Sequence, residues 1–576
     1  MASRALSLSS LSSLSPISLS HHLACSTPSS LRFYSSKPIV VVNKSVQSHY
    51  DEQTPADTRV SISTPEVEGT GAAAPTRGDI FLERQKSFAA ATTVLAACTK
   101  KKKKKKIDKV GGSVKVSLPS CYGCGAPLQT SETDAPGYVD PDTYQLKKKH
   151  HQLRKVICGR CRLLSHGHMV TAVGGHGGYS GGKQFVSAEE LRKKLSHLRH
   201  EKALIVKLVD IVDFNGSFLG RVRDLAGANP IILVVTKVDL LPKGTNLDCV
   251  GDWVVEATMK KKLNVLSVRL TSSKSLVGIA GVVSEIQKEK KGRDVYILGA
   301  ANVGKSAFIS ALLKMMSYKD PVAAAAQKYK PIQSAVPGTT LGPIQIDAFL
   351  GGGKLYDTPG VHLHHRQAAV VHSEDLPALA PQSRLRGQSF PNSQVALDEW
   401  TAGKIASNGL NGFSIFWGGL VRVDILKVLP RTRLTFYGPK GLQIHMVPTD
   451  KADEFYQAEV GISLTPPTGN PSNDWTGLET QRHLQIKFED AKSSPACDVA
   501  VSGLGWIAVE PVGRSPGVSD SDSEETDKEL LLAVHVAKPV EVFIRPPMPA
   551  GKAGEEWYQY RELTEMEEEV RPKWYF

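Results

Sequence analysis

The first fifty residues contain no aspartate and no glutamate, while holding sixteen serines and the scattered basic residues Arg4, Arg32, Lys37 and Lys44. A serine-rich stretch without acid has the composition of an organellar transit peptide, which stays uncommitted to structure for import. The serine richness and the Met1-Ala2 start point to the chloroplast stroma, with the mitochondrion as the alternative. Serine also breaks the apolar stretches around Leu8 and Leu19, which argues against a secretory signal. Nowhere does the chain offer the roughly eighteen consecutive apolar residues that a membrane-crossing helix needs, so no integral membrane association is expected. Cysteine is scarce as well. Eight cysteines in 576 residues do not make a disulfide scaffold, and four stand as two Cys-x-x-Cys pairs, which points to a metal in a reducing compartment.

What is in excess is positive charge: 71 lysines and arginines against 57 acidic residues, a formal net charge of +14. Such a balance suits a nucleic-acid partner, because lysine and arginine displace counterions from phosphates. The unbroken run Lys100 to Lys106 supplies seven of those charges, so the excess is partly local. That run reads equally as a solvated segment. Residues 1–60 read as the transit peptide and 61–115 as a disordered linker carrying the lysine run, with a helical piece near Phe81-Leu82-Glu83-Arg84. A monomer is expected.

The two cysteine pairs, Cys121-x-x-Cys124 and Cys158-x-x-Cys161, define a module over 116–180. Each turn aims two thiolates at one point, and four sulfurs satisfy tetrahedral zinc with no vacancy for a substrate. A redox dithiol is the alternative, and His166 and His168 stand near enough in sequence to compete as ligands. The insert between the pairs leaves room for a hairpin or short helix bearing Lys147-Lys148-Lys149-His150-His151, which is either an RNA contact or part of a packing brace for the next domain.

Beyond the glycine-rich Gly174 to Gly178 linker the pattern alternates. Helical spacing over Glu189 to His200 is followed by strand-like runs at Ala203–Asp210, Pro230–Val235, Val265–Val268 and Val295–Leu298. Strands that are nearly all apolar and separated by helices imply a sheet covered on both faces, with ligands at the carboxyl ends of its strands. After the last run stands Gly299-Ala300-Ala301-Asn302-Val303-Gly304-Lys305-Ser306, a Gly-x-x-x-x-Gly-Lys-Ser phosphate loop that leads through Ala307 into a helix. Its glycines turn backbone N–H groups toward a phosphate chain, Lys305 meets the β- and γ-phosphates, and the Ser306 hydroxyl ligates magnesium.

Other segments take their meaning from this loop. Thr236-Lys237-Val238-Asp239 closes a strand and resembles the guanine-specificity motif of GTPases, with Thr236 where Asn is commoner; Asp239 would accept from guanine N1–H and the exocyclic amine, and the Lys237 stem would lie along the base. Thr271-Ser272-Ser273-Lys274 resembles the second base-contact loop, with Ser272, Ser273 and Lys274 at the nucleotide. Pro337-Gly338-Thr339-Thr340 resembles the first switch, Thr340 closing on magnesium and γ-phosphate. Asp357-Thr358-Pro359-Gly360 resembles the Asp-x-x-Gly switch, Asp357 in the magnesium shell and the Gly360 N–H on the γ-phosphate. The guanine motifs come before the phosphate motifs, an order that resembles the circularly permuted GTPases.

Within that class the run from Cys121 to Phe576 is similar to the YqeH type and to its plant organellar, nitric-oxide-associated branch. The resemblance is carried by Cys121-Tyr122-Gly123-Cys124-Gly125-Ala126-Pro127, by Leu208 to Gly216 and by the closing Arg571-Pro572-Lys573-Trp574-Tyr575-Phe576. It implies an α/β fold: a circularly permuted P-loop G domain over 185–365, preceded by the four-cysteine zinc module and followed by a β-rich α+β C-terminal domain over 366–576. It implies GTP and GDP, magnesium and structural zinc as ligands, and ribosomal RNA or a pre-ribosomal subunit of the organelle as partner. Lys305, Asn302, Thr340 and Gly360 are the expected catalytic groups. Val361 stands where many GTPases place a water-orienting Gln, so a slow intrinsic rate is expected, and potassium held by Asn302 is one route to assistance. His362, His364 and His365 read as switch-loop residues rather than bases.

In the last domain Val421 to Ile425 and Leu434 to Phe436 alternate, Asp498 to Val501 and Val540 to Ile544 are strand-like, and Ser519 to Asp527 is an acidic loop. Arg431, Arg433 and Tyr437 read either as RNA contacts or as the core and rim of a sheet. A GTP-dependent scaffold with little hydrolysis is the second functional reading. A redox enzyme making nitric oxide is not expected, since no Gly-x-Gly-x-x-Gly follows a strand and no cysteine stands in an evident haem setting.

Overall fold

The computed structural model describes residues 119–166, 186–329, 331, 338–391, 403, 408–469, 475–487, 494–511, 529–558 and 564–576. All of these belong to one compact unit, Ser113–Phe576. The expected transit peptide, linker helix and lysine run, the Gly174 to Gly178 linker, His168, Pro337 and the acidic loop at Ser519 to Asp527 lie outside the described residues.

A seven-stranded sheet organises the first half of this unit. Its strands are β1 (Ala203–Asp210), β2 (Ile231–Thr236), β3 (Ser267–Leu270), β4 (Asp294–Gly299), β5 (Ile344–Ile346), β6 (Leu355–Asp357) and, from the far end of the chain, β17 (Lys573–Tyr575). The spatial order is β17-β3-β2-β1-β4-β6-β5, parallel throughout except for β5 against β6. Every residue of β1 and β2 is buried, as strands covered on both faces must be. The one cation inside β1, Lys207, donates from Nζ to the Leu219 carbonyl at 2.9 Å and sits 3.3 Å above the Phe218 ring. Burial pushes its amine well below the usual lysine range.

Val265 belongs to the expected strand but, though itself buried, sits in a mostly exposed loop ahead of β3. The β17 strand was not foreseen as part of this sheet. Lys573, Trp574 and Tyr575 pair with Ser267, Val268 and Arg269. The Trp574 indole N–H donates to Asp252 at 2.8 Å, and its ring occupies the space above Gly251, where a Cβ would come within 2.3 Å of Cδ2.

Among the described residues of the second half, ten strands form two five-stranded sheets. One comprises β7 (Gln388–Phe390), β10 (Arg433–Tyr437), β13 (Cys497–Val501), β14 (Gly505–Glu510) and β16 (Val542–Arg545), in the order β16-β13-β14-β10-β7. The other comprises β8 (Phe413–Trp417), β9 (Val421–Lys427), β11 (Ile444–Pro448), β12 (Glu479–Lys487) and β15 (Glu529–Val536), in the order β11-β8-β9-β15-β12. Alternation works as it should on β9: Val421, Val423 and Ile425 enter the core with Trp417, Leu434 and Ile507, while Arg422 and Asp424 pair on the other face at 2.6 Å. Tyr437 stacks on Trp506 at 4.9 Å and Arg433 pairs with Glu510, so these two serve packing and rim; Arg431 is exposed. The sandwich and the parallel sheet share one core cluster, which takes in Ala500, Trp506 and Met548 from the C-terminal half.

Candidate nucleotide and metal sites

β4 delivers the phosphate loop to the carboxyl edge of the sheet, and the helix Lys305–Ser317 begins directly after it. Asn302 and Gly304 take positive φ, 61° and 89°, so the loop folds over the end of the strand. A cavity of about 430 Å³ opens here, lined among others by Asn302, Gly304, Lys305, Ser306, Ala307, Thr340, Gly360 and Lys237. The expected residues Asn302, Gly304, Lys305, Ser306, Thr340 and Gly360 thus converge from segments distant in sequence, whereas Asp357, the third expected magnesium ligand, does not line the cavity. Gly299 and Val303 lie behind the lining, Val303 fully buried.

Lys305 is 8% exposed and donates to the carbonyls of Ala300 at 2.7 Å and Gly299 at 3.3 Å. Burial lowers its amine to about 8, with the Asp357 charge opposing and the Arg366 charge adding to the shift. Asp357 ends β6 almost wholly buried and accepts a hydrogen bond from the Tyr329 hydroxyl at 2.9 Å. Burial raises its carboxyl to about 6, against the pull of Lys305. Gly360 has no room for a side chain: a Cβ would stand 2.8 Å from Lys305 Nζ and 3.0 Å from Ala301 Cα. Close approach of this backbone to the phosphate loop is what an N–H aimed at a γ-phosphate requires.

Val361 is fully buried in the core. Its carbonyl accepts from Ala301 N at 2.7 Å and its own N–H donates to Gly299 at 3.2 Å, so the side chain is locked away from any attacking water. None of His362, His364 and His365 lines the cavity; the His365 ring bonds instead to the Gly216 carbonyl at 3.1 Å.

The base motifs stand side by side. The Val238 N–H donates to the Thr271 carbonyl at 3.2 Å, and the Thr236 hydroxyl donates to the Val303 carbonyl at 2.7 Å, tying the base motif to the phosphate loop. Lys237 bridges Asp210 at 2.5 Å and the Asn302 carbonyl at 2.9 Å. Asp239, Ser272, Ser273 and Lys274 are adjacent but do not line the cavity; Leu376 and Leu379 to Gln382 wall that end, and Arg384 reaches the Asp239 carbonyl at 3.4 Å.

The four cysteine sulfurs of Cys121, Cys124, Cys158 and Cys161 lie within 4.8 Å of one another, with Cys121–Cys161 at 3.7 Å and Cys124–Cys158 at 3.9 Å. A zinc tetrahedron with Zn–S of about 2.3 Å has S···S edges of about 3.8 Å, so the cluster is consistent with zinc. The insert forms the helix Pro141–Lys149, with Lys147, Lys148 and Lys149 in its last turn. His166 bonds to the Arg162 carbonyl at 2.7 Å rather than joining the sulfurs.

The module grips the segment around Thr340. The Cys124 carbonyl accepts from Leu341 N at 2.7 Å and Gly342 N at 3.0 Å, and the Arg160 guanidinium donates to the Gly338 carbonyl at 2.8 Å. Gly125 and Gly342 pass so close that a Cβ on Gly125 would meet the Gly342 oxygen at 2.3 Å. From the same knuckle Tyr122 packs edge-on against Tyr329 at 5.0 Å, the tyrosine bonded to Asp357. Sequence reasoning missed Tyr329, because neither its spacing nor its surroundings resemble a motif.

Comparison with known proteins agrees with this geometry. Residues 294–381 match the 50S ribosome-binding GTPase family, and residues 431–517 match the YqeH-like C-terminal family. NO-associated protein 1, chloroplastic/mitochondrial, of Arabidopsis thaliana is 68% identical over 523 residues, covering 90% of this chain and 93% of that protein. A relative from Oryza sativa subsp. japonica, with nitric oxide synthase in its name, is 67% identical over 521 residues, again 90% and 93% of the two chains. YqeH of Bacillus subtilis (strain 168) is 30% identical over 426 residues, 74% of this chain and 98% of that one. Among the described residues no helix is long and apolar enough to cross a membrane.

Proposed function

The chain belongs to the YqeH-like family of GTPases, and from that premise we propose that it is a magnesium-dependent GTP switch serving ribosome assembly in an organelle, the chloroplast stroma first. Its G domain is read as circularly permuted. The observation that carries the reading is the order of motifs on one sheet edge: the base motifs leave β2 and β3 before β4 delivers the phosphate loop, yet all meet at the same carboxyl edge. Permutation puts the Asp357 to Gly360 switch directly ahead of the sandwich, so nucleotide-dependent movement there pulls on the C-terminal domain. The cysteine module, with zinc bound, holds the Thr340 segment from the other side. Ribosomal RNA or a pre-ribosomal subunit is the proposed partner; the net positive charge and the Lys147 to Lys149 helix end favour it.

When GTP and magnesium bind, Ser306, Thr340 and Asp357 would hold the ion, and Lys305 with the Gly360 N–H would meet the γ-phosphate. The buried Val361 gives weight to the second reading, a GTP-dependent scaffold with little hydrolysis. Single-turnover GTP hydrolysis with and without organellar ribosomal subunits separates the two: stimulation of at least about tenfold supports the switch, and a rate unmoved by subunits supports the scaffold. Run in potassium and then sodium, the same assay tests Asn302 as a potassium ligand; equal rates remove potassium from the account.

Burial sets the expected pH profile of kcat/KM, which reports groups of the free enzyme. Below about 6 Asp357 is protonated and holds magnesium poorly. Above about 8 Lys305 is neutral and pairs poorly with phosphate. The profile is therefore expected to rise through about 6 and fall beyond about 8, with the acid limb moving to lower pH as magnesium is raised. An acid limb insensitive to magnesium contradicts the assignment of Asp357.

A further inference from the structure

None of the GTPase motifs contains Arg366, six residues beyond Gly360 in the sequence, yet this residue is 8% exposed and lines the nucleotide cavity. Its Nε donates to Asp213 Oδ2 at 2.8 Å and its Nη1 donates to the Ala301 carbonyl at 2.6 Å. Ala301 is the phosphate-loop residue against which Gly360 lies, 3.0 Å from where a Gly360 Cβ would be, and Lys305 Nζ is 2.8 Å from that same point. The guanidinium is therefore anchored to the phosphate-loop residue beside which the Gly360 backbone and Lys305 Nζ come close, where a γ-phosphate would be bound. These two bonds use two of the five guanidinium N–H donors; among the described residues the others have no protein partner.

Asp213 is itself held. It lies on the loop after β1, 8% exposed, and the Gly503 N–H of the β13–β14 turn also bonds to it. The space above Gly503 is filled by the Arg366–Gln367 segment, with Gln367 N 2.9 Å and Arg366 Cβ 3.1 Å from a Cβ placed there. Carboxylate, turn and guanidinium thus fix one another, and the turn belongs to the C-terminal sandwich.

We propose that Arg366 is a catalytic arginine supplied in cis, contacting the γ-phosphate and stabilising the charge that builds as it is transferred, with Asp213 as its positioning residue. The inference rests on the GTPase assignment of the cavity. In the reaction the water oxygen forms a bond to the γ-phosphorus while the bond from that phosphorus to the β–γ bridging oxygen breaks. The electron pair of the broken bond stays on the bridging oxygen of GDP, and the proton of the water leaves with the phosphate. Arg366 neutralises the phosphoryl and bridging oxygens during the transfer, with no proton passing to it. This supplies what the buried Val361 cannot, through electrostatics rather than through orientation of the water.

The test uses the full-length chain carrying Arg366→Ala, Arg366→Lys and Asp213→Asn. Arginine fingers are worth about 10³ to 10⁵ in rate, so Arg366→Ala is expected to lower single-turnover GTP hydrolysis at least about 100-fold while GDP affinity changes less than about threefold. Arg366→Lys, which keeps charge without the planar fork, is expected to recover only part of the rate. Asp213→Asn should cost less, about tenfold. Trapping of GDP with aluminium fluoride, a mimic of the transferring phosphoryl group, should be lost in Arg366→Ala and retained in Asp213→Asn. The proposal is overturned if Arg366→Ala hydrolyses GTP within about threefold of the parent, or still traps aluminium fluoride. It is equally overturned if GDP affinity falls in step with the rate in both Arg366 variants, since that is the mark of a structural clamp. Should Arg366→Ala fail to fold, the rate and trapping of Arg366→Lys decide alone. Loss of GDP binding in the parent chain would instead overturn the GTPase assignment.

Discussion

Asp239→Asn is expected to weaken GTP binding by about two to four orders of magnitude and to improve binding of xanthosine triphosphate. The guanine edge presents two donors, N1–H and the exocyclic amine, and an ionised carboxylate accepts from both. Charge-assisted hydrogen bonds contribute about 1.5–3 kcal/mol each, so losing the pair costs about 3–6 kcal/mol, which sets the range. Xanthine carries a carbonyl where guanine carries the amine, and the asparagine amide offers one acceptor and one donor to match it. The substitution is not expected to disturb the fold, because Asp239 is partly exposed and its backbone carbonyl, not its carboxylate, meets Arg384. Competition binding with a fluorescent GDP analogue against GTP and xanthosine triphosphate measures the switch. Unchanged preference for GTP would remove Asp239 from the base site and with it the guanine reading of Thr236 to Asp239.

Stripping the metal from the four-cysteine module, or replacing Cys158 by Ser, is expected to lower GTP hydrolysis at least about tenfold without touching the phosphate loop. Among the described residues the module has almost no core of its own beyond the cysteines, Ala126, Leu128, Val139 and Val156 being the other buried apolar ones. A cluster this small depends on its metal, whose binding in zinc-finger peptides is worth about 10–16 kcal/mol of folding free energy. When it unfolds, Leu341 and Gly342 lose the Cys124 carbonyl and Gly338 loses Arg160, so the Thr340 segment must pay its ordering entropy anew each time it closes. Zinc release on thiol modification, followed by hydrolysis and GDP binding, tests this. Affinity for GDP should change far less than the hydrolysis rate. Full hydrolysis by the zinc-free protein would show that the module braces nothing at the switch.

Legibility from sequence followed the distance between partners. β1, β2 and β4 were readable because each is a nearly all-apolar run of strand length, interrupted inside β1 only by Lys207. β3 was read two residues early: Leu263 and Val265 are buried by packing ahead of the ladder, not by pairing within it. β17 gave no signal, since three residues have no period and their partner strand lies some three hundred positions earlier. In the sandwich, alternation exposed β9, whereas β8 is buried at every position and so shows none. The same rule divides the site. Phosphate-loop, switch and cysteine residues sit at fixed short spacings that chemistry dictates. Tyr329 and Arg366 meet their partners across 28 and 65 residues, and only folding brings them together. The grip on the Thr340 segment runs through backbone carbonyls and N–H groups, which carry no residue signature at all.

Nucleotide state is expected to govern engagement with an organellar ribosomal particle. Sedimentation of chloroplast ribosomal subunits with the full chain, once with a non-hydrolysable GTP analogue and once with GDP, tests it most directly. The account predicts co-migration with one subunit in the analogue state and release with GDP. Absence from ribosomal fractions in both states would contradict it.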